Sequence, residues 1–207
     1  MLNRFARALF TRLLTPAARA LLALGVSPDA VTLVGTLGVA FGALAFYPRG
    51  SFFWGTVVIT LFVFSDSVDG IMARLLGRPS TWGAFLDSTL DRAEEGIVLA
   101  AVAAYFAAVK HDDLAVAAVV IAVLGSLLVS YTRARAEALG VECKVGVATR
   151  AVRVVILSIG LVFARGAGLG DFSLLKPAIY ALALLTSFTV FQRVFHVRRE
   201  LNRTSPA

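Results

Sequence analysis

Long apolar runs follow one another along this chain, and few folds accommodate them. Six stand between polar breaks, at about residues 28–47, 52–76, 82–109, 114–139, 148–164 and 174–197. A helix crossing the roughly 30 Å hydrocarbon core of a bilayer takes about 20 apolar residues. Its backbone groups must be satisfied within the segment itself. The chain is 58% hydrophobic with a mean hydropathy of +0.83, well beyond a soluble domain. The expected fold is therefore an all-α integral membrane protein with six transmembrane helices. It forms one membrane domain: a juxtamembrane segment at 1–26, a six-helix core at 27–197 and a polar tail at 198–207.

The ends of these runs carry matching local signals. Ser27-Pro28 reads as an N-cap followed by proline at the first helical position. Pro48-Arg49-Gly50 stops the first span. Ahead of it, Arg4, Arg7, Arg12 and Arg19 alternate with Phe5, Leu9, Phe10, Leu13 and Leu14, and no acid interrupts them. The pattern favours an amphipathic helix lying on the membrane surface over a cleaved leader, because the apolar run 20–26 is short and lacks a clear cleavage motif.

Six spans place both termini on one side. Of the 20 Lys and Arg, only Arg49, Lys110, Arg165 and Lys176 then fall on the other. Such a bias marks the terminal side as cytoplasmic. The net charge of +7 is thus a matter of topology. Basic and aromatic residues are not interleaved on an exposed face, so a nucleic-acid partner is not expected. One cysteine, Cys143, and two distant histidines, His111 and His196, exclude a disulfide framework and a thiolate-rich metal site.

Against this apolar background the stretch 66–91 stands out. Asp66 and Asp69 are three residues apart, and Asp87 and Asp91 are four apart. Each pair lies on one helical face. A short loop joins the two segments, so antiparallel packing would bring four carboxylates together. Alone they would repel, and some would hold protons. A divalent cation removes that conflict, and oxygen ligands suit Mg²⁺ or Mn²⁺ beside substrate phosphates. Two metals suit displacement at phosphorus. Gly70 and Gly83 each cost helix stability, which close approach of a ligand or a neighbouring helix would offset.

The whole pattern reads Asp66-x2-Asp69-Gly70-x2-Ala73-Arg74-x8-Gly83-x3-Asp87-x3-Asp91. It matches the signature of the CDP-alcohol phosphotransferase family at every fixed position, and the chain resembles that family from about Thr11 to Val197. "SPDAVTLVG" is similar to the family's entry into its first core helix. "SYTRARAE", with Arg153 and Arg193 downstream, resembles the actinobacterial branch that makes phosphatidylinositol phosphate. At position 133 and in "GVATRAVR" the chain departs from that branch.

The resemblance implies a homodimer. It implies that Asp66, Asp69, Asp87 and Asp91 hold two divalent ions, Mg²⁺ or Mn²⁺, and that Asp91 takes the proton of the acceptor hydroxyl. It implies that CDP-diacylglycerol meets Asp29, Ala30, Val31, Thr32, Gly70, Arg74 and Ser80. Arg133, Arg135, Arg153 and Arg193 form a basic set suited to a phosphate oxyanion. They favour an acceptor that carries phosphate, inositol 1-phosphate before glycerol 3-phosphate. Glu95, one turn beyond Asp91, could approach the same place but more naturally pairs with an arginine. A divalent-cation transporter is the rival from another class. It would need a polar path across the bilayer, which the apolar halves Leu33–Phe46 and Leu99–Ala108 do not offer.

Overall fold

The computed structural model describes residues 2–77, 80–164 and 173–204, without the side chains of residues 2–10, Asp66 and Thr204. The arginines and aromatics expected on the first turns of the surface helix lie outside the described side chains. Eight α-helices follow in order: α1 Leu2–Ala23, α2 Pro28–Phe46, α3 Phe52–Val63, α4 Ser65–Leu75, α5 Thr81–Tyr105, α6 Asp113–Ala138, α7 Arg150–Val162 and α8 Leu175–Thr204. The all-α expectation holds. Among the described residues, four stretches are long and apolar enough to cross a membrane: Pro28–Arg49, Phe52–Leu75, Asp113–Ala138 and Leu175–Arg203. Helix α5 carries Asp87, Asp91, Arg92, Glu94 and Glu95 in its first fifteen residues, and α7 has only 13 residues. The tail expected from residue 198 continues α8 as helix to Thr204.

Two compact units divide the chain: Met1–Phe46 with Trp54–Val98, and Tyr47–Phe53 with Leu99–Ala207. In the first, α4 packs against α1 and α2. Its apolar centre is Ala18, Val68, Ile71 and Met72, flanked by Leu14, Leu21, Leu22 and Val31. Helix α2 starts where the sequence predicts: the Ser27 hydroxyl accepts the Ala30 N–H at 3.2 Å, and Pro28 opens the first turn. One face of α2 is glycine. A Cβ at Gly38 would run into the Phe62 ring, and one at Gly42 would press on Val58 and Ile59 at 3.0 Å. The second span breaks between Val63 and Ser65, where Ser65 Oγ donates to the Phe62 carbonyl at 2.5 Å. A hydroxyl bonded back to the preceding turn bends helices. The break makes α4 a short helix of its own, with Asp66 and Asp69 in its first half and Arg74 in its last turn, each favourable to the helix dipole.

The second unit is built on α8, which packs against α6 and α7. Thr186 and Thr189 are fully buried on α8. A Cβ at Gly125 of α6 would collide with Thr186, and one at Gly160 of α7 with Ala178, so these helices meet at glycines. The opposite faces are apolar and open: Leu184, Phe188, Phe191 and Phe195 on α8, and Val120, Ile121, Leu124 and Leu128 on α6. Exposed apolar surface on this scale belongs against lipid.

Between α5 and α6 the helix widens into a π turn at Phe106–Lys110, His111 takes a left-handed conformation (φ 50°), and Asp112 caps α6. Asp112 accepts the Ala115 N–H at 3.0 Å and Lys176 Nζ at 2.5 Å. The lysine first, and the backbone N–H second, hold its carboxyl below the usual range.

Two outcomes test this packing. Gly125→Val should cost about 1–3 kcal/mol by overpacking, read as a lower thermal midpoint in detergent. Gly96→Ala, whose Cβ meets nothing within 4 Å, should instead be neutral or gain up to about 1 kcal/mol. A carboxyl depressed on folding stabilises the fold above its unfolded value, about 3.9, and loses that effect as pH falls through its lower folded value. Asp112→Ala should therefore lower the midpoint at pH 7, by a margin that shrinks below about pH 4. A margin that stays constant to pH 3 contradicts the cap.

Candidate nucleotide and metal site

Within the first unit, the first turn of α2, the middle of α4 and the start of α5 enclose a cavity of about 450 Å³. Asp29, Thr32, Asp69, Gly70, Ser80, Gly83 and Asp87 all lie on its wall. Seven residues drawn from three segments of the chain, from Asp29 to Asp87, thus meet at one place. Asp69 is buried at 7% exposure, and Thr32 Oγ1 donates to its Oδ2 at 2.5 Å. The same hydroxyl lies 3.2 Å from the Pro28 carbonyl, but it has one proton, and the shorter, charged acceptor takes it. One carboxylate oxygen of Asp69 is thereby fixed on α2.

The glycines divide by role. A Cβ at Gly70 would meet nothing within 4 Å. Helix packing therefore does not require this glycine, and the open space is the cavity itself. At Gly83 a Cβ would make ordinary contact with Asp29 and Ser80 at 3.5 Å. Ser80 caps α5, its Oγ accepting the Gly83 N–H at 3.1 Å.

Other residues expected at the site sit differently. Val31 packs into the apolar centre of α1 and α4. The N–H of Ala30 is taken by Ser27. Arg74 is exposed and absent from the cavity wall. Asp91 is buried beside Arg92, 3.5 Å away, and does not line the cavity. The side chain of Asp66 lies outside the described residues.

Glu94 was not anticipated. It is buried, its Oε1 accepts from Thr36 Oγ1 at 2.7 Å, and it lies within electrostatic reach of Asp87 and Asp69. The spacing Asp87, Asp91, Glu94 continues one helical face, so i, i+4, i+7 counting was the available signal. Thr32 and Thr36, one turn apart on α2, each hold one carboxylate of the opposing helices.

Among the described residues, no three Asp, Glu, His or Cys side chains group closely enough to form a metal cage. The donor chemistry nonetheless fits a hard divalent ion. Asp69 and Asp87 share one cavity wall, every donor is oxygen, and no soft ligand is present.

In the second unit the four expected arginines divide. Arg153 and Arg193 are buried, at 3% and 4% exposure. Arg153 donates to the Ala148 carbonyl at 3.0 Å. Arg193 donates from Nε to the Val145 carbonyl at 3.0 Å and from Nη1 to the Val129 carbonyl. Its other Nη group makes no hydrogen bond among the described residues. The connecting strand 145–148 is laid along α8: Thr189 accepts the Ala148 N–H at 2.9 Å, and Gln192 accepts the Val147 N–H at 3.3 Å. Gly146 is required there, since it has φ 120° and its Cβ would strike Thr189. Arg133 lies within electrostatic reach of Arg193 and is exposed, paired with Glu137 at 2.8 Å. Arg135 instead lines a groove between α6 and α8.

Known proteins resemble this chain closely. Residues 25–191 match the family described as CDP-alcohol phosphatidyltransferase. The phosphatidylinositol phosphate synthase of Streptomyces avermitilis is 52% identical, over 97% of this chain and 84% of that protein. That of Cutibacterium acnes is 43% identical, over 96% and 98%. The crystal structure of Mycobacterium tuberculosis phosphatidylinositol phosphate synthase with CDP-DAG bound superposes with a TM-score of 0.85 at 35% identity, covering 90% of this chain and 94% of that one. The same enzyme in complex with manganese and citrate gives 0.84 over 89% and 88%.

Thr36→Val strips a buried carboxylate of its hydrogen bond and should cost about 1–3 kcal/mol, seen as a lower thermal midpoint without metal. Mn²⁺ should raise the parent protein's midpoint, and Thr32→Val should reduce that rise. An unchanged manganese response would separate Thr32 from the metal-binding carboxylates.

Proposed function

The chain belongs to the CDP-alcohol phosphatidyltransferase family, and we propose that within it the protein transfers the phosphatidyl group of CDP-diacylglycerol to inositol 1-phosphate. The observation that carries this reading is the single cavity on which Asp29, Thr32, Asp69, Gly70, Ser80 and Asp87 meet, in a chain 52% identical to a phosphatidylinositol phosphate synthase. Each is a residue that the family signature, or the family's entry into its first core helix, assigns to nucleotide or metal.

In the proposed reaction the acceptor hydroxyl attacks the β-phosphorus. The bond from that phosphorus to the oxygen shared with the cytidylyl phosphate breaks, and CMP leaves. The hydroxyl proton passes to Asp91, whose burial beside Arg92 keeps it from solvent. Asp66, Asp69, Asp87 and Asp91 hold divalent cations, two Mg²⁺ or Mn²⁺ per site, which when bound neutralise the pyrophosphate charge. Asp29, Thr32 and Ser80 meet the nucleotide, and the bare face of Gly70 leaves room for it. The backbone of Ala30 and Val31 shapes the same turn, and Arg74 faces phosphate from the end of α4. Arg153 and Arg193, already oriented by backbone carbonyls, take the acceptor's phosphate, with Arg133 close by. Arg135 is left out of that set because it leaves α6 about 200° from Arg133, on the groove wall that Arg193 also reaches.

The proposed setting is a cell membrane crossed six times, with α1 on its surface and both termini cytoplasmic. The proposed assembly is a homodimer of single-domain protomers.

CMP release from CDP-diacylglycerol by the purified full chain tests the reading, with Mg²⁺ present and inositol 1-phosphate, free inositol or glycerol 3-phosphate supplied in parallel. Release with inositol 1-phosphate is expected. Release with glycerol 3-phosphate alone would keep the metal site and replace the acceptor. Asp91→Asn should lower turnover about 10²-fold or more while CDP-lipid binding persists; unchanged turnover would remove Asp91 as the base.

A further inference from the structure

Within the second unit, the C-terminal turns of α6 and α8 border a groove of about 370 Å³. Its wall is largely apolar, with Leu139, Val197 and Leu201 among its residues, and it carries Arg135, Arg198 and Asn202 but no acidic residue. Val197 and Leu201 turn their inner sides to the buried cluster of Ala136, Val141 and Cys143, so this part of the wall is anchored.

The charges around it are not distributed evenly. Three nearby cations have a carboxylate: Arg133 has Glu137, Lys144 has Glu142, and Arg203 has Glu200. Arg193, also on the groove wall, is oriented by the Val145 and Val129 carbonyls and is assigned above to the acceptor's phosphate. The guanidinium groups of Arg135 and Arg198 have no hydrogen bond or ion pair among the described residues. Two uncompensated cations thus sit over an apolar floor. The groove also lies in the last turns of two helices long enough to cross a membrane, Asp113–Ala138 and Leu175–Arg203. That is the level of lipid headgroups.

We propose that this groove holds an anionic phospholipid, its phosphate at Arg135 and Arg198 and an acyl chain along Leu139, Val197 and Leu201. A soluble phosphate would leave the apolar floor wet, so it uses only half of the site. A second copy of the chain would bring the same unpaired arginines against each other if the groove lay on a two-fold axis. An anionic lipid satisfies both halves at the depth where it is most concentrated. The groove adjoins the proposed acceptor site at Arg193, but the lipid contacts at Arg135 and Arg198 require only that the protein lie in a membrane.

The test uses the full chain in mixed micelles of dioleoylphosphatidylglycerol and dioleoylphosphatidylcholine. Native mass spectrometry reads the lipid retained, and a photoreactive phosphatidylglycerol reads its position. Retention of phosphatidylglycerol over phosphatidylcholine is expected, with crosslinks in residues 131–139 and 193–202. Arg135→Gln and Arg198→Gln should each weaken retention about fivefold, the loss of about 1 kcal/mol per cation at a membrane surface. The double variant should approach parity between the two lipids. High salt should lower the preference of the parent protein, a measurement that needs no variant to fold. Equal retention of both lipids, crosslinks elsewhere, displacement by inorganic phosphate, or a change of oligomeric state in place of lipid loss in the variants would each overturn the proposal.

Discussion

Charge placed on helices otherwise suited to lipid is the constraint on which this structure depends. A carboxylate or guanidinium in such a helix is tolerated only where hydrogen bonds or counter-charges replace water. In the first unit the replacement comes from α2. Thr32 holds Asp69 and Thr36 holds Glu94, both between buried partners. These bonds do more than satisfy polar atoms. They couple the orientation of a signature carboxylate to the packing of the first long helix, and that packing is set by the glycine face at Gly38 and Gly42.

The second unit meets the same constraint by another route. Its two buried arginines are satisfied by backbone carbonyls of the segment 145–148 and of α6. Carbonyls orient a guanidinium without cancelling its charge, so the group keeps its attraction for an anion. A carboxylate partner of the kind Arg133 has in Glu137 would have used that attraction up. The segment can take this course because Gly146 adopts a conformation closed to other residues and passes within contact of Thr189. On the proposed reading, this ordered stretch of loop joins the surface that meets the acceptor's phosphate.

Much of the candidate site was legible in the sequence. Spacing put Asp66 with Asp69 and Asp87 with Asp91 on helical faces, and Ser27-Pro28 marked the start of α2 within a turn. The misses share a cause. Glu94 continues the Asp87–Asp91 face, yet its adjacency to Glu95 made the two hard to tell apart without knowing which one meets Thr36. Arg133 and Arg135 look like one basic pair in sequence. Two residues apart on a helix, they point about 200° apart, one to Glu137 and the other to the groove. The break after Val63 has no proline or glycine beside it, and it depends on a serine bonded to its own preceding turn.

The sequence by itself determined the helical class, the extent of the apolar segments and the identity of the acidic set. Those properties rest on hydrophobicity and on periodicity within one helix, which are local. Only the tertiary structure decided which side chains share a wall. It put Gly70 on open space and Val31 in the core, gave Ser80 to the cap of α5, and placed Arg135 on a groove wall with Arg193. Such choices depend on how helices rotate about their own axes when they pack. That rotation is set by contacts between residues far apart in the chain, such as Thr32 with Asp69 and Thr189 with Ala148.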